Sequence, residues 1–100
     1  MNLLDETLSF LQRHGLTEED VCWVGDGVNY CSWNDFVGIA NVEYDAGYGI
    51  QEIEEDLIVV GKDWWLERHE YDGSEWWEFK KLPEKPKKEP STIRIMYRKL

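Results

Sequence analysis

The sequence predicts an α+β domain in which two helices pack on an antiparallel sheet of five to six strands, including a β-hairpin and a three-stranded meander. Three observations carry this. Apolar residues recur at helical spacing in two stretches, from Leu3 to Leu11 and from Trp33 to Tyr44. Asp-Gly pairs at 26–27 and 72–73 separate runs of strand-forming residues, the short-range signature of a tight hairpin. Leu57-Ile58-Val59-Val60 is a brief apolar run bounded by Gly61-Lys62-Asp63, the pattern of a buried central strand.

The elements follow in order. Leu3, Leu4, Leu8, Phe10 and Leu11 form one broad helical stripe, ended at His14-Gly15 with Leu16 folding back. Thr17-Glu18-Glu19-Asp20 reads as a capped single turn. In "VCWVGDGVNYC" a two-residue turn at Asp26-Gly27 pairs Gly25 with Val28, Trp23 with Tyr30 and Cys22 with Cys31. That register allows a disulfide, while a reducing compartment favours two small buried thiols. Ser32-Trp33-Asn34-Asp35 resembles a capping box, and the helix it opens ends near Asp45-Ala46-Gly47. A loop surrounds Tyr48, and "QEIEED" at 51–56 reads as loop or short helix. Residues 57–60, 64–71 and 75–81 make the meander. The predicted organisation is a single domain over 1–82, a Pro/Lys-rich spacer over 83–90 and a basic terminal strand over 91–100. In that last segment Ile93, Ile95 and Tyr97 alternate with Arg94, Met96 and Arg98. A terminal helix fits the same short segment.

Charge is divided along the chain. Of its 100 residues, 1–79 carry nineteen Asp/Glu against three Lys/Arg, and 80–100 carry eight Lys/Arg against two Glu, for a net charge of −10. The body therefore repels nucleic acid and is drawn to basic surfaces, and the tail does the opposite. No basic stretch followed by an apolar run succeeds Met1, and no apolar run approaches the roughly 18 residues that span a bilayer. The expectation is a cytoplasmic protein with no membrane partner and no direct DNA binding by the body.

"DWWLERHEYDGSEWWEF", 63–79, holds four of the six tryptophans as two adjacent pairs. A strand sends neighbours to opposite faces, so each pair places a ring on both. With Tyr71 opposite Ser74, one face holds Trp65, Glu67, His69, Tyr71, Ser74, Trp76, Glu78 and Lys80. The other holds Trp64, Leu66, Arg68, Glu70, Glu75, Trp77, Phe79 and Lys81. A four-residue loop preserves both sets, because the parity is unchanged. Trp64, Leu66, Trp77 and Phe79 form one apolar block, which makes theirs the core face, expected to pack against the Trp33–Tyr44 helix. Trp65 and Trp76 then serve recognition or sit under cover.

Motifs for catalysis are sparse. "VGDGVNY" lacks the spacing and the lysine of a phosphate loop. Two cysteines cannot alone complete a tetrahedral metal site, and Glu52, Glu54, Glu55 and Asp56 lack the calcium-loop pattern. His69 beside Glu67 or Glu78 is a proton-transfer pair only in the weakest reading. No cofactor, metal or catalytic residue is assigned, and the expectation is a non-enzyme. What remains is acidity with aromatic rings. Alternate residues on a strand face lie about 6.6 Å apart, on the order of the phosphate interval in a nucleic-acid strand. Glu67, Glu78, Glu70, Glu75 and Asp72, with Glu52–Asp56 before them, form a candidate row between the flat rings of Trp65, Tyr71 and Trp76.

The run "VVGKDWWLERHEYDGSEWWEFKKLP", 57–83, resembles small acidic proteins encoded by phages and prophages of Gram-positive bacteria, and "GLTEEDVCWVG" does so less closely. The resemblance implies a mobile-element accessory protein in a bacterial host cell. That class includes anti-CRISPR proteins and other inhibitors of host nucleases, several of them acidic nucleic-acid mimics. The implied partner is a basic nucleic-acid-binding host protein such as a CRISPR effector; the residues that the charge and ring pattern assigns to the contact are Trp65, Trp76, Glu67, Glu78, Glu70, Asp72, Glu75 and Tyr71. The basic tail departs from a purely acidic mimic. A second reading is a self-association module, a homodimer joined through the C-terminal strand.

Overall fold

Helix α1 (Leu3–Arg13) opens where the Asn2 side chain accepts a hydrogen bond from the Asp5 amide, in a computed structural model that describes residues 1–47 and 49–95. It closes with the Gly15 amide on the Gln12 carbonyl and the Leu16 amide on the Leu11 carbonyl, the double bond of a Schellman ending. Its inward stripe is Leu3, Thr7 and Leu11, flanked by Leu4 and Phe10. Leu8, expected in that stripe, faces outward, and Thr7 takes its place. The Thr7 hydroxyl donates to the Leu3 carbonyl at 2.7 Å and accepts the Trp77 indole N–H at 3.0 Å, so a polar side chain is satisfied in the core.

Strands β1 (Trp23–Gly25) and β2 (Tyr30–Cys31) form the first hairpin. The observed register pairs Gly25 with Tyr30 and Val24 with Cys31. The turn is centred on Gly27-Val28, one residue beyond the predicted position. Asp26 decides this: its carboxylate accepts the amides of Val28 and Asn29 at 3.0 and 2.8 Å, while its own amide donates to the Asn29 carbonyl. Cys22 and Cys31 therefore do not face each other, and both thiols are free.

Helix α2 (Trp33–Ala40) is capped by Ser32, as predicted, but spans eight residues and stops before Tyr44. The N-terminal segment captures the chain beyond it. The Leu3 amide donates to the Val42 carbonyl, the Tyr44 amide donates to the Met1 carbonyl, and Asn2 bridges Glu43. Residues 51–56 form loop rather than helix.

The sheet is completed by β3 (Ile58–Val60), β4 (Trp64–Tyr71) and β5 (Ser74–Lys81), giving one open five-stranded antiparallel sheet in the order β2-β1-β3-β4-β5. The fold is thus α+β, with the meander as predicted. Asp72 and Gly73 turn with φ of 52° and 86°, the primed turn that matches strand twist, and Tyr71 pairs with Ser74. Residues 91–95 form no strand, and the rest of the predicted terminal strand, 96–100, lies outside the described residues, as does Tyr48.

The core lies between the sheet's inner face and the two helices. Val24, Val59, Trp64, Leu66 and Trp77 meet Leu3, Leu11, Trp33, Phe36 and Ala40. The helix over the β4–β5 hairpin is α1, not α2 as the sequence suggested. Trp77 bonds Thr7, Arg68 pairs with Glu6, and His14 stacks on Phe79 at 4.3 Å. Chain connectivity explains the exchange. Ser32 follows β2 directly and holds α2 at that edge of the sheet, which leaves the far half for α1.

Candidate functional site

Both helices occupy one side of the sheet, so the opposite side is where exposed side chains converge. The registers place them in rows. Trp23 faces Val60, Val60 faces Trp65, and Trp65 faces Lys80, one row across four strands. The next row runs Tyr30, Gly25, Ile58, Glu67, Glu78 across all five. His69 with Trp76, then Tyr71 with Ser74, complete the face toward the turn. Trp65 is half-buried and Trp76 is 37% exposed, whereas Trp77 on the other side is 2% exposed. The predicted division of the four tryptophans holds.

Polar contacts within the face fix its rings. The Trp65 indole N–H donates to Glu67 at 2.7 Å and the Trp76 indole N–H donates to Glu78 at 3.1 Å, each reaching the carboxylate two residues on. His69 sits between the two carboxylates, with Nε2 2.7 Å from Glu67 and Nδ1 3.8 Å from Glu78. Lys80 Nζ lies 3.7 Å from Glu78. The His69 bond, then the Trp65 bond, hold the Glu67 carboxyl below the usual carboxylate range. The Trp76 indole does the same for Glu78. Two like charges can stand side by side because each accepts a donor that favours its ionised form.

At the β1–β2 end, the Trp23 ring lies over Gly25. A Cβ there would come within 2.7 Å of Trp23 Cζ3, so only glycine admits the ring. Trp23 and Tyr30 meet edge-on at 6.2 Å around a shallow apolar notch of about 300 Å³. Both belong to the exposed face, and the sequence reading missed them. Their parity within the hairpin was legible; the pairing of β1 with β3, separated by more than thirty residues, was not.

The predicted contact row does not assemble as one line. Glu67 and Glu78 come together as cross-strand neighbours at the centre of the open face, with Trp65 and Trp76 beside them. Tyr71, Asp72 and Glu70 are exposed at the turn end, and Glu70 pairs with Glu75 on the inner side. Glu75 is 4% exposed and leaves the contact surface altogether. Its carboxylate accepts Arg68 at 2.8 Å on one oxygen and the Glu52 amide at 2.7 Å on the other.

Arg68 is buried at the centre of that inner cluster. It pairs with Glu6 at 3.2 Å, donates to the Tyr44 hydroxyl at 3.1 Å and lies over the Trp77 ring at 4.7 Å. Burial works against its charge, but Glu75, Tyr44 and Glu6 outweigh that and raise its pKa. Tyr44, which also donates to Glu6, is pushed up to about 12, by burial first and then by that bond. This cluster ties α1, the segment after α2, β4, β5 and the 51–53 loop into one unit.

Among the described residues no group of three or more His, Cys, Asp or Glu side chains is placed to hold a metal ion. No helix among them is long and apolar enough to cross a membrane. No family model, curated protein or solved structure matches the chain.

Proposed function

We propose that this chain is a non-enzymatic binding protein of a mobile element, an inhibitor or adaptor whose open sheet face docks on a basic, nucleic-acid-handling host protein of the kind a CRISPR effector represents. One observation carries the reading. A five-stranded sheet has both helices on one side and shows Trp23, Tyr30, Trp65, Tyr71 and Trp76 with two ionised carboxylates on the other. Large rings with few rotamers are favoured interface anchors, and the indole N–H groups of Trp65 and Trp76 are already satisfied by Glu67 and Glu78, so covering these two with a partner strands neither donor. The acidic body, nineteen Asp/Glu against three Lys/Arg over 1–79, favours a basic partner.

The resemblance to phage and prophage proteins suggests the host setting. The geometry favours rings as anchors and carboxylates as electrostatic guides over an evenly spaced phosphate-like ladder. The inhibition is then steric and electrostatic competition for a groove that otherwise takes nucleic acid.

The test is capture from bacterial host lysate on the immobilised chain, identification of the captured protein, and affinity measurement on the purified pair. Trp65→Ala/Trp76→Ala is expected to weaken binding by about 30-fold or more while the fold is retained. Nucleic acid bound by the partner should compete. A captured protein with no affinity for nucleic acid, or unchanged binding of the double variant, would refute the reading.

A further inference from the structure

Away from the open sheet face, the edge at β2 carries a second unpartnered surface. An apolar groove of about 370 Å³ runs between the first hairpin, α2 and the 53–57 loop. Leu3, Val24 and Phe36 line it deeply, and Ile39 and Val42 line it toward the surface, 68% and 46% exposed. Asp26 and Glu54 are the acidic residues among its lining. Asp26 accepts the Asn29 and Val28 amides, which hold its carboxyl below its ordinary range. β2 is the outermost strand, with one backbone edge unpaired in the sheet.

The same chain carries a segment of matching chemistry. Residues 91–100 alternate Ile93, Ile95 and Tyr97 with Arg94, Met96 and Arg98, and Lys99 follows. Ile93 and Ile95 are 81% and 95% exposed. A small protein rarely leaves a groove and a β-branched pair both open to water unless they meet something. The other sheet edge, β5, ends in Lys80 and Lys81, whereas the β2 groove is apolar with Asp26 and Glu54 as the acidic members of its lining and no basic residue among them.

We infer that the C-terminal segment 91–100 of one copy docks in the β2–α2 groove of a second copy, Ile93 and Ile95 entering the groove and the basic side chains answering its acidic lining. This is strand addition of the kind that reuses an open sheet edge. The spacer makes a second copy the occupant. Pro83, Pro86 and Pro90 stiffen the link, which disfavours folding the tail back across the sheet onto the groove of its own copy. Exchange is reciprocal, each copy giving a tail and receiving one, so the assembly closes at two.

Light scattering over a wide concentration range tests this on the full chain. The expected result is a monomer–dimer equilibrium. Ile93→Asp/Ile95→Asp, with a defective tail and an intact groove, should lower the association constant by at least about tenfold. Ile39→Asp, with an intact tail and a defective groove, should do the same. Mixing the two variants should recover a dimer, because one good tail then meets one good groove. Ile39 is exposed enough for aspartate to leave the fold intact; if that variant does not fold, Glu54→Lys at the groove lining reads the same contact. The inference is overturned by a full chain that is monomeric throughout, by a dimer that survives the groove variant, or by a mixture that recovers nothing. None of these outcomes depends on the sheet face that carries the proposed function.

Discussion

Arg68 shows how one residue can hold a small domain together at a cost. A buried guanidinium gains little from its partners beyond what it lost with water, yet removing one partner leaves the remaining charge uncompensated. Glu75→Ala should therefore cost about 3–5 kcal/mol in urea unfolding, far more than any exposed glutamate on this chain. Tyr44 belongs to the same cluster and gives it a pH signature. Its phenol is raised from 10.0 to about 12 in the fold. As pH rises above 10.0 the unfolded chain loses that proton first, so stability is complete below this point and falls until the folded phenol also ionises near 12. The urea midpoint should decline across that window in the native sequence and lose most of the decline in Tyr44→Phe. A third residue acts by absence. A Cβ on Gly61 would sit 2.0 Å from Trp64 Cε2, and the Gly61 amide already donates to the Trp64 carbonyl at 2.9 Å. Gly61→Ala should push the Trp64 ring out of place, costing about 1–3 kcal/mol and shifting tryptophan emission to the red.

At the scale of the element, the β4–β5 hairpin spends its two Trp-Trp pairs on two separate tasks. Trp77→Ala should cost about 3–5 kcal/mol, because it empties a core site and removes the indole donor that the buried Thr7 hydroxyl accepts. Trp76→Ala, one position away, should cost less than about 1 kcal/mol. Equilibrium unfolding of the two variants compares them directly, and equal losses would contradict the assignment of faces. The hairpin was legible in the sequence because its cues are local: a turn that needs positive φ at Asp72 and Gly73, and a side-chain period of two. The first hairpin was half legible. Its turn slipped by one residue because the Asp26 side chain satisfies two loop amides, but that slip preserves parity, so Trp23 and Tyr30 remain on the side predicted for them as a pair. Helix α2 was overextended because the period of Trp33 to Tyr44 continues through residues that the N-terminus holds by backbone hydrogen bonds.

On the scale of the whole molecule, charge separation is the property with the widest consequence. Under the proposed function, docking of the acidic body on a basic partner should weaken as salt screens the encounter over a Debye length of about 10 Å at 0.1 M. Affinity for the captured partner should drop steadily with added salt, mostly through slower association; a salt-independent affinity would remove the electrostatic part of the proposed function. Glu67 and Glu78 sharpen this at the acid end. Their lowered pKa values keep both carboxylates charged below the ordinary value of 4.5, so their electrostatic guidance is lost only as pH falls through the lower folded values.

By itself the sequence determined the fold class, the β4–β5 turn and the side of the sheet on which each of the four hairpin tryptophans lies. These follow from periodicity and turn chemistry, which act over a few residues. The tertiary structure alone decided that α1 covers the meander, that β1 joins β3 and thereby adds Trp23 and Tyr30 to the open face, and that Glu75, on the core face by parity, is buried as the partner of Arg68. Each of those depends on which surfaces meet across distant segments, and that choice is made by burial and charge pairing summed over the whole chain rather than by any local pattern.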